Sequence, residues 1–238
     1  MSHILIVGAG DYIGSAVARR FAQGGYRVSV GRRNGEKLEP LTSEITAAGG
    51  QAHGYTVDAR DEDSINTTMA ACEAIEPLDI VLFNVGGNVL FPIRETTSQV
   101  FRKVWEMACF GGFQTGRAAA EIMVPRGKGC IFFTGATASM RGSSGFSAFA
   151  SAKAGLRNLA QSMARELGPQ GIHVAHVVID AGVDTDWIRE FMAQRGRVLE
   201  TDDLVNPASV AEAYWGLANQ TPDAWTFEMD LRPDRETW

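Results

Sequence analysis

Three glycines near the start of the sequence are spaced for binding phosphate. Gly8, Gly10 and Gly14 follow the apolar run 3–7 and surround the start of a helical pattern near Ile13. A strand that enters a helix through glycines lets a phosphate diester approach the N–H groups of the helix N-terminus, where a Cβ would hold it away. The spacing favours a dinucleotide site in the first strand–helix–strand unit. A tight turn that only permits close packing is the alternative.

The end of the second predicted strand bears on which dinucleotide would bind. An acidic residue there would accept a hydrogen bond from the ribose 2′-hydroxyl of NAD. This sequence has Arg32 and Arg33 instead, and two guanidinium groups suit a 2′-phosphate as bidentate donors. We therefore predict NADP(H), with NAD also possible. A solvated basic turn is the alternative.

An alternation of strands and helices along the chain must position these residues. Short apolar runs predict about seven strands, and residues at helical spacing lie between them. Such alternation with short connections requires parallel strands and right-handed crossovers. The expected fold class is α/β, a doubly wound, Rossmann-like parallel sheet with helices on both faces. The predicted strands are 3–7, 26–30, 53–57, 78–83, 130–134, 173–179 and 225–231.

Local signals place the helices between these strands. The glycines at 24 and 25 stop the first helix, which starts near Ile13. Pro40 belongs in a first turn, because proline is tolerated only there. Asn206 is a predicted N-cap before Pro207. The predicted helices run from 13 to the two glycines, and over about 38–48, 65–72, 97–123, 149–167 and 206–219.

The composition restricts the class of protein. The 238 residues are 45% hydrophobic and 21% charged, which is ordinary for a globular domain, and we expect one domain over residues 1–238. The net charge of −6 disfavours nucleic acid as a partner. No apolar run approaches the ~20 residues of a membrane span, so no membrane partner is expected. We predict no metal site.

Cysteine usage and the start of the chain bear on location. Cys72, Cys109 and Cys130 share no close spacing, which predicts reduced thiols in a reducing compartment. The first predicted strand begins at once, and no secretory signal is visible. A cytoplasmic location is therefore expected.

The glycine motif and several later stretches resemble the short-chain dehydrogenase/reductase family over nearly the whole chain. The family fingerprint is Thr-Gly-x-x-x-Gly-x-Gly. Gly8 and Gly14 match its outer glycines, whereas Val7 replaces the threonine and Tyr12 replaces the middle glycine. The stretch 83–86 resembles the family's Asn-Asn-Ala-Gly and keeps the asparagine and the glycine. Residues 165–172 resemble the family's joint before the sixth strand.

The resemblance implies a set of cofactor contacts. Asp58 sits where the family places an aspartate beside the adenine ring, with helix capping together with Asp61 as the alternative. Asp11 argues against NADP, because NADP-preferring relatives often carry a basic residue in this loop. Thr185 matches a threonine that follows the family's Pro-Gly, although residues 178–182 contain no proline. The predicted cofactor-binding residues are Gly8, Gly10, Tyr12, Ile13, Gly14, Arg32, Arg33, Asp58, Asn84, Gly86, Lys153 and Thr185.

The family's catalytic residues are mostly replaced. The family uses an Asn, a Ser, a Tyr that transfers the proton, and a Lys that lowers the pKa of the Tyr and holds the ribose. The matching positions are Ala108, Ala136, Phe149 and Lys153, and positions 149 and 153 share one face of a helix. A positioned proton donor contributes roughly 10²–10⁴ in rate. A ketone reductase with these residues would therefore be very slow.

Three functions fit these residues. The first is an oxidoreductase that binds NADP(H) and uses an atypical proton donor on an unidentified small-molecule substrate. The second is a non-catalytic NAD(P)-binding sensor or regulatory subunit. The third, which Tyr12 favours, is an interaction protein that has lost the cofactor. Lys153 is expected to bind the nicotinamide ribose, with an ordinary surface lysine as the alternative. The substitute acids considered are Lys153, Thr134, Thr137, Ser139, Ser147 and Asp184.

The resemblance also implies assembly, because the family commonly forms dimers and tetramers through its two long helices. Small residues along both predicted helices permit close approach, and a two-fold interface is the usual closure. We expect a homodimer or homotetramer, with packing on the subunit's own sheet as the alternative. The stripes are Ala118, Ala119, Ile122 and Met123 on the earlier helix, and Ala148, Ala152, Gly155, Leu159 and Met163 on the later one.

Residues 183–205 form the least regular region of the sequence. The region mixes acidic, basic and aromatic side chains without a clear period. We expect it to be flexible and to lie on the substrate side, outside the carboxyl ends of the strands. A solvated surface loop is the alternative.

Overall fold

Seven strands form one sheet in the computed structural model, which describes residues 1–196 and 198–236. The strands are β1 (His3–Val7), β2 (Arg27–Arg32), β3 (Gln51–Thr56), β4 (Ile80–Phe83), β5 (Gly129–Thr134), β6 (Ile172–Ile179) and β7 (Glu228–Leu231). Their order is β3-β2-β1-β4-β5-β6-β7, and all neighbours are parallel. The predicted doubly wound α/β fold is confirmed.

The direction in which the sheet grows reverses at β1. β2 and β3 lie on one side of β1, and β4 to β7 lie on the other. The register pairs Val7 with both Gly31 of β2 and Phe83 of β4, so three strands end level with one another. In open parallel sheets, ligands bind in the crevice outside the carboxyl ends at such a reversal. The glycine loop, the two arginines and Asn84 therefore surround one crevice.

The helices follow the predicted local signals. Asn206 caps the last helix, since its Oδ1 accepts the N–H of Ala208 at 2.8 Å. Gly24 ends the first helix, and Pro40 lies in the first turn of the second. The helices are α1 (Ile13–Gln23), α2 (Glu39–Ala47), α3 (Glu62–Ile75), α4 (Ser98–Trp105), α5 (Gly111–Met123), α6 (Thr137–Met140), α7 (Ser147–Leu167), α8 (Asp186–Ala193) and α9 (Pro207–Ala218).

Two apolar cores flank the sheet because successive side chains of a strand point to opposite faces. In β1, Ile4 and Ile6 pack in the core formed with α1, α2 and α9. Leu5 and Val7 pack in the core formed with α3, α5 and α7. All four side chains are buried. A strand covered on both faces has an uninterrupted apolar sequence, which is why these strands could be predicted.

The small-residue stripes predicted for subunit contacts lie largely inside the subunit. Gly155 faces the α4–α5 connection, where a Cβ would lie 2.9 Å from Sγ of Cys109. Five of the other members are buried in the cores of the same chain and three are partly buried, which favours packing within the subunit; the two interface stripes stay a prediction. Buried members are Ala118, Ala119, Met123, Ala148 and Ala152, and Ile122, Leu159 and Met163 pack against a core.

Some elements differ from the predicted ones. The helix predicted over 97–123 is α4 and α5 joined by a π-helical turn, Glu106–Phe110. The sequence did not predict α6 or α8. α8 lies within the region 183–205 and none of its eight residues is fully buried, so it carries little core signal. Residue Arg197 of that region lies outside the described residues. β7 begins at Glu228 rather than at 225.

Gly8 and Gly10 offer a matched test of the junction after β1. Gly8 has φ +96°, and a Cβ there would lie 2.7 Å from the carbonyl carbon of Asn84. We predict that Gly8→Ala lowers the free energy of unfolding by about 2–5 kcal/mol, through strain and overpacking. Gly10→Ala should change it by less than about 1 kcal/mol, because a Cβ there meets no described atom within 4 Å. Urea unfolding followed by circular dichroism measures both, and equal losses would contradict the assignment.

Candidate functional site

A cavity of about 1080 Å³ lies at the carboxyl ends of β1 to β6. Small-molecule sites usually measure ~300–1,000 Å³, so this cavity has room for a large ligand. It is lined by the residues that the sequence predicts to bind the cofactor. These are Gly8, Gly10, Tyr12, Ile13, Gly14, Arg32, Arg33, Asp58, Asn84, Gly86, Lys153 and Thr185.

The three glycines of the loop have different physical roles. The Asn84 side chain donates to the Gly8 carbonyl at 2.9 Å, and the backbone of Asn84 and Val85, just after β4, leaves no space for a Cβ on Gly8. A Cβ on Gly14 would lie 2.6 Å from Cα of Ala9. Gly8 and Gly14 are therefore required for packing. Gly10 lines the cavity and has open space where a Cβ would lie, which is the arrangement that admits a ligand phosphate at a helix N-terminus.

Tyr12 connects the glycine loop to α8. Its hydroxyl donates to Oδ2 of Asp186 and accepts the N–H of the same residue, both at 3.3 Å. The neighbouring Thr185 caps α8, since its Oγ1 accepts the N–H of Ile188 at 3.1 Å. The ring thus forms one wall of the cavity and joins two segments that the sequence treats separately.

Ion pairs organise the end of the cavity beside β2 and β3. Arg32 donates to Oδ1 of Asp11 at 2.9 Å, so the acidic residue of the glycine loop holds one of the two predicted phosphate ligands. Arg60 donates to both oxygens of Asp58, at 2.9 and 2.5 Å. These hydrogen bonds hold the pKa of Asp58 below its usual value, although partial burial opposes the shift. Asp58 is therefore engaged with Arg60, and Asp61 alone caps α3.

The cavity is strongly cationic in a chain whose net charge is −6. Among the described residues, six cationic side chains and two carboxylates line it. Sequence reasoning missed three of the cations, because no motif marks them. Such a concentration of one charge in a concave site attracts anions. The cations are Arg32, Arg33, Lys37, Arg60, Arg141 and Lys153, and the carboxylates are Asp11 and Asp58.

Lys153 is buried at the other end of the cavity, with 3% of its surface exposed. Its Nζ donates to the carbonyls of Thr134 at 2.8 Å and Val85 at 3.2 Å. Burial lowers the pKa of Lys153 to about 8. The alternative of an ordinary surface lysine is therefore excluded. The ammonium is held in place by two strand ends and lies 6.0 Å from the ring centroid of Phe149.

Two of the three positions that the family resemblance predicts to be replaced catalytic residues line the cavity beside Lys153. Phe149 and Ala136 are both lining residues, and neither side chain can exchange a proton. Ala108 is fully buried in the π-helical turn and is not among the lining residues. Ala136, Phe149 and Lys153 therefore line the same cavity. Ala108 is buried and does not line it.

An arginine–aspartate pair that sequence reasoning missed lies at the same end. The Arg141 guanidinium donates to both oxygens of Asp180, at 3.0 and 3.2 Å. Asp180 is 1% exposed. Burial opposes its ionisation, yet hydrogen bonds from Thr137 and Arg141 hold its pKa below the usual value. The one sequence signal was that residues 178–182 lack the expected proline and contain an aspartate.

A buried histidine lies beneath the floor of the cavity. Nδ1 of His176 is 3.1 Å from Oε2 of Glu228, and Arg157 donates to both oxygens of that carboxylate at 2.6 and 2.8 Å. Nε2 of His176 has no partner among the described residues. A Cβ on Gly135 would lie 2.4 Å from this nitrogen. Burial lowers the pKa of His176 to about 4, so the ring is neutral at pH 7.

This architecture has known relatives. The short chain dehydrogenase family matches residues 2–196 of the chain. The chain belongs to the short-chain dehydrogenase family. A solved short-chain dehydrogenase from Rhodopseudomonas palustris is 53% identical and superposes with a TM-score of 0.85, covering 98% of both chains.

Other short-chain dehydrogenase relatives are more distant. An L-rhamnose 1-dehydrogenase (NAD(P)(+)) of Azotobacter vinelandii is 31% identical over 222 residues, which cover 86% of both proteins. A variant of an actinorhodin polyketide ketoreductase, solved with NADPH, is 26% identical with a TM-score of 0.88, covering 98% of this chain and 96% of that one.

Membrane-spanning helices and metal-binding clusters are both absent from the described residues of this short-chain dehydrogenase. Residues 1–196 and 198–236 contain no helix that is both long and apolar enough to cross a membrane. Within the same ranges, no three His, Cys, Asp or Glu side chains are grouped so as to hold a metal ion.

Acidification tests the burial of His176. Its pKa is about 4 in the folded state and about 6.5 in the unfolded chain. The stability that neutral His176 contributes is therefore fully present above pH 6.5. As the pH falls from 6.5 towards 4, this group lowers the free energy of unfolding by about 1.4 kcal/mol per pH unit. The free energy of unfolding is measured in urea at pH 7.5 and at pH 5.0. Its decrease on acidification should be about 2 kcal/mol smaller in His176→Gln than in the unmodified protein.

His53→Gln is the control for this comparison, because it makes the same substitution at an exposed position and removes no buried imidazole. His3 and His173 also have lowered pKa values through burial, so they contribute the same background to every variant. An identical pH dependence in His176→Gln and the unmodified protein would contradict the assignment.

Proposed function

We propose that the protein is an NADP(H)-dependent oxidoreductase that transfers hydride to a small molecule without the family's tyrosine acid. The observation that carries the proposal is the excess of cations lining one large cavity, which runs from the glycine loop to the buried Lys153. The excess suits a ligand with several phosphates at one end, and it supports cofactor binding over an interaction protein that has lost the cofactor.

The residues of the cavity fit this cofactor. Gly10 leaves the space that a pyrophosphate needs at the start of α1. Arg33 and Lys37 line the end beside β2, where they would receive a 2′-phosphate, and Asp11 keeps Arg32 in the same place. Lys153 would hold the nicotinamide ribose hydroxyls. The remaining proposed contacts are those with Gly8, Tyr12, Ile13, Gly14, Asp58, Asn84, Gly86 and Thr185.

NADPH, when bound, supplies the hydride, and the chain must manage the charge that develops on the substrate. Of the substitute acids considered, Thr134 is bonded to the hydroxyl of Tyr214 at 2.7 Å, and Thr137 is bonded to Asp180. Asp184 is paired with Arg189. Lys153 carries a proton, has a pKa near physiological pH and lines the cavity. We therefore assign proton donation or charge stabilisation to Lys153.

A non-catalytic NADP(H)-binding sensor is the second candidate function. The replacement of polar residues by Ala136 and Phe149 at the cavity wall favours it, because both side chains keep the shape of the site and remove its proton transfer. A turnover assay over carbonyls, alcohols and activated alkenes separates it from an enzyme: a sensor binds NADPH and consumes none.

An exposed row of aromatic residues supports assembly of this chain with itself. Phe101, Trp105 and Phe113 are each about 40% exposed on α4 and α5. Phe110 stacks between Trp105 and Phe113, with ring centroids 6.0 and 5.8 Å apart. Exposed apolar patches of this kind mark interaction surfaces. We propose that this row, rather than the buried stripes, forms the contact of a homodimer or homotetramer.

Light scattering tests this assembly. The unmodified protein should have at least twice the mass of one chain at micromolar concentration. The double variant Trp105→Ser, Phe113→Ser should dissociate, whereas Met140→Ser, which removes an exposed side chain outside the row, should not. A single-chain mass for the unmodified protein would exclude the assembly.

A cytoplasmic location is the compartment that we propose. Cys72, Cys109 and Cys130 are free thiols in the structure, which suits a reducing compartment. Fractionation of the source cells tests the assignment, and recovery from a secreted fraction would contradict it.

The cofactor assignment predicts that Arg32 and Arg33 make the protein prefer NADPH over NADH. NADPH should bind about 10–150-fold more tightly than NADH, as one charge-assisted contact is worth about 1.5–3 kcal/mol. Arg32→Ala, Arg33→Ala should abolish the preference and leave NADH affinity nearly unchanged. Because Arg32 is already paired with Asp11, Arg33→Ala alone should cause the larger part of the loss of NADPH preference. Fluorescence titration of the three proteins with NADPH and NADH measures the six affinities.

Arg117→Ala is the matched control for these titrations, since Arg117 is exposed on α5 and pairs with Glu62 and Glu121. It should keep the preference for NADPH. Equal affinities for NADPH and NADH in the unmodified protein would refute the assignment.

The chemical assignment predicts that the unmodified protein reduces ketones slowly. It also predicts that reintroducing the family's catalytic residues raises this rate. The unmodified protein should reduce simple ketones at or near background. The triple change Ala108→Asn, Ala136→Ser and Phe149→Tyr should raise the rate by at least ~10², the low end for a single positioned acid. Phe149→Tyr alone should help less, because the phenol would lack its partners. NADPH affinity is measured alongside, and strong ketone reduction unchanged by Lys153→Ala would contradict the assignment.

A further inference from the structure

Arg141 presents a cation to the cavity without the carboxylate that neutralises it. Arg141 lines the cavity, whereas Asp180 does not. The Arg141 side chain is 42% exposed, and that of Asp180 is 2% exposed. A ligand in the cavity therefore meets the guanidinium, and the aspartate lies behind it.

The Arg141 guanidinium is held in one orientation with donors to spare. Asp180 accepts two hydrogen bonds from it, and a guanidinium has five N–H donors. No other hydrogen bond of this guanidinium is present within residues 1–196 and 198–236. A fork fixed by a buried carboxylate loses little entropy on binding a second anion, and its planar donors match a carboxylate.

Among the described residues, no carboxylate lines this end of the cavity. The lining acids, Asp11 and Asp58, follow β1 and β3. Arg141 follows β5 and is bonded to the residue after β6, so about three strand spacings of ~4.8 Å separate it from β2. The nearest lining cation in the fold is Lys153, which is bonded to the end of β5. Both charges at this end are positive.

Apolar side chains form part of the cavity wall. The lining residues include Met107, Phe146, Phe149, Trp187 and Ile188, together with the polar Asn88, Thr137 and Ser143. An anion without apolar surface, such as inorganic phosphate, gains no binding free energy from contact with these apolar side chains. An organic acid with an apolar skeleton would bury that skeleton against them and place its charge on the guanidinium.

We propose that the substrate is a carboxylic acid with an apolar, ring-sized skeleton, and that Arg141 binds its carboxylate. This assignment rests on the proposed function, because it concerns the substrate end of the same cavity. Asp180 acts as a positioning residue that orients Arg141 and does not touch the substrate. The chemistry of recognition is a charge-assisted fork between the guanidinium and a carboxylate.

Binding of matched probes to the NADPH-saturated protein tests the assignment. Phenylacetate and its neutral isostere phenylacetamide are titrated calorimetrically. Phenylacetate should bind at least 10-fold more tightly than the amide, and Arg141→Ala should reduce this ratio to near one while leaving NADPH affinity unchanged. Arg141→Lys should retain part of the preference, because the charge remains and the fork is lost. Arg117→Ala should keep the full ratio.

A second variant protects the test against misfolding, since Arg141→Ala removes the two hydrogen bonds from this guanidinium to buried Asp180 and leaves it the weaker ion pair with Arg232 at 3.8 Å. Arg141→Gln, Asp180→Asn removes both charges together, and it should fold by circular dichroism and lose the preference for the acid. No preference in the unmodified protein, a preference that survives these variants, or equal competition by inorganic phosphate overturns the assignment. Failure of the unmodified protein to bind NADPH would instead overturn the proposed function.

Discussion

The close approach of Gly8 to Asn84 is the contact around which the rest of the structure is arranged. Gly8 has φ +96° and leaves no space for a Cβ against the backbone of Asn84. Asn84 donates its backbone N–H to Val7 at 2.8 Å and its side chain to Gly8 at 2.9 Å. These contacts join β1 to β4 where the sheet reverses its order. The crevice, the start of α1 and the cationic cavity all depend on this junction.

The charges at the two ends of the cavity are organised differently. Beside β2, the arginines meet carboxylates that also face the cavity, as with Arg32 and Asp11. Beside β5 and β6, Lys153 is held by backbone carbonyls, and Arg141 is held by an aspartate hidden from the cavity. The two charged lining side chains that the structure describes at this end, Arg141 and Lys153, are therefore both cations, and neither Ala136 nor Phe149 can donate a proton. The proposal of an anionic substrate rests on this arrangement.

Elements with strong local signals were predicted well, and elements without them were not. β1 and β4 are uninterrupted apolar runs because both of their faces are covered. Asn206 as the N-cap and Pro207 as the first helical residue predict the start of α9. The four-residue α6 and the unburied α8 have no such signal. The interface stripes stay a prediction for a different reason: an apolar helix face looks the same in sequence whether its own sheet or a second subunit covers it.

The sequence by itself determined the fold class and the glycine loop, because these depend on periodicity and short spacing. The replacement of the family's catalytic residues stays a prediction. Only the tertiary structure decided which side chains meet across the cavity. Arg141 and Asp180 are 39 residues apart, and Tyr12 and Asp186 are 174 apart. No local pattern links such positions. They become neighbours because parallel strands with helical crossovers bring every carboxyl end to one edge of the sheet.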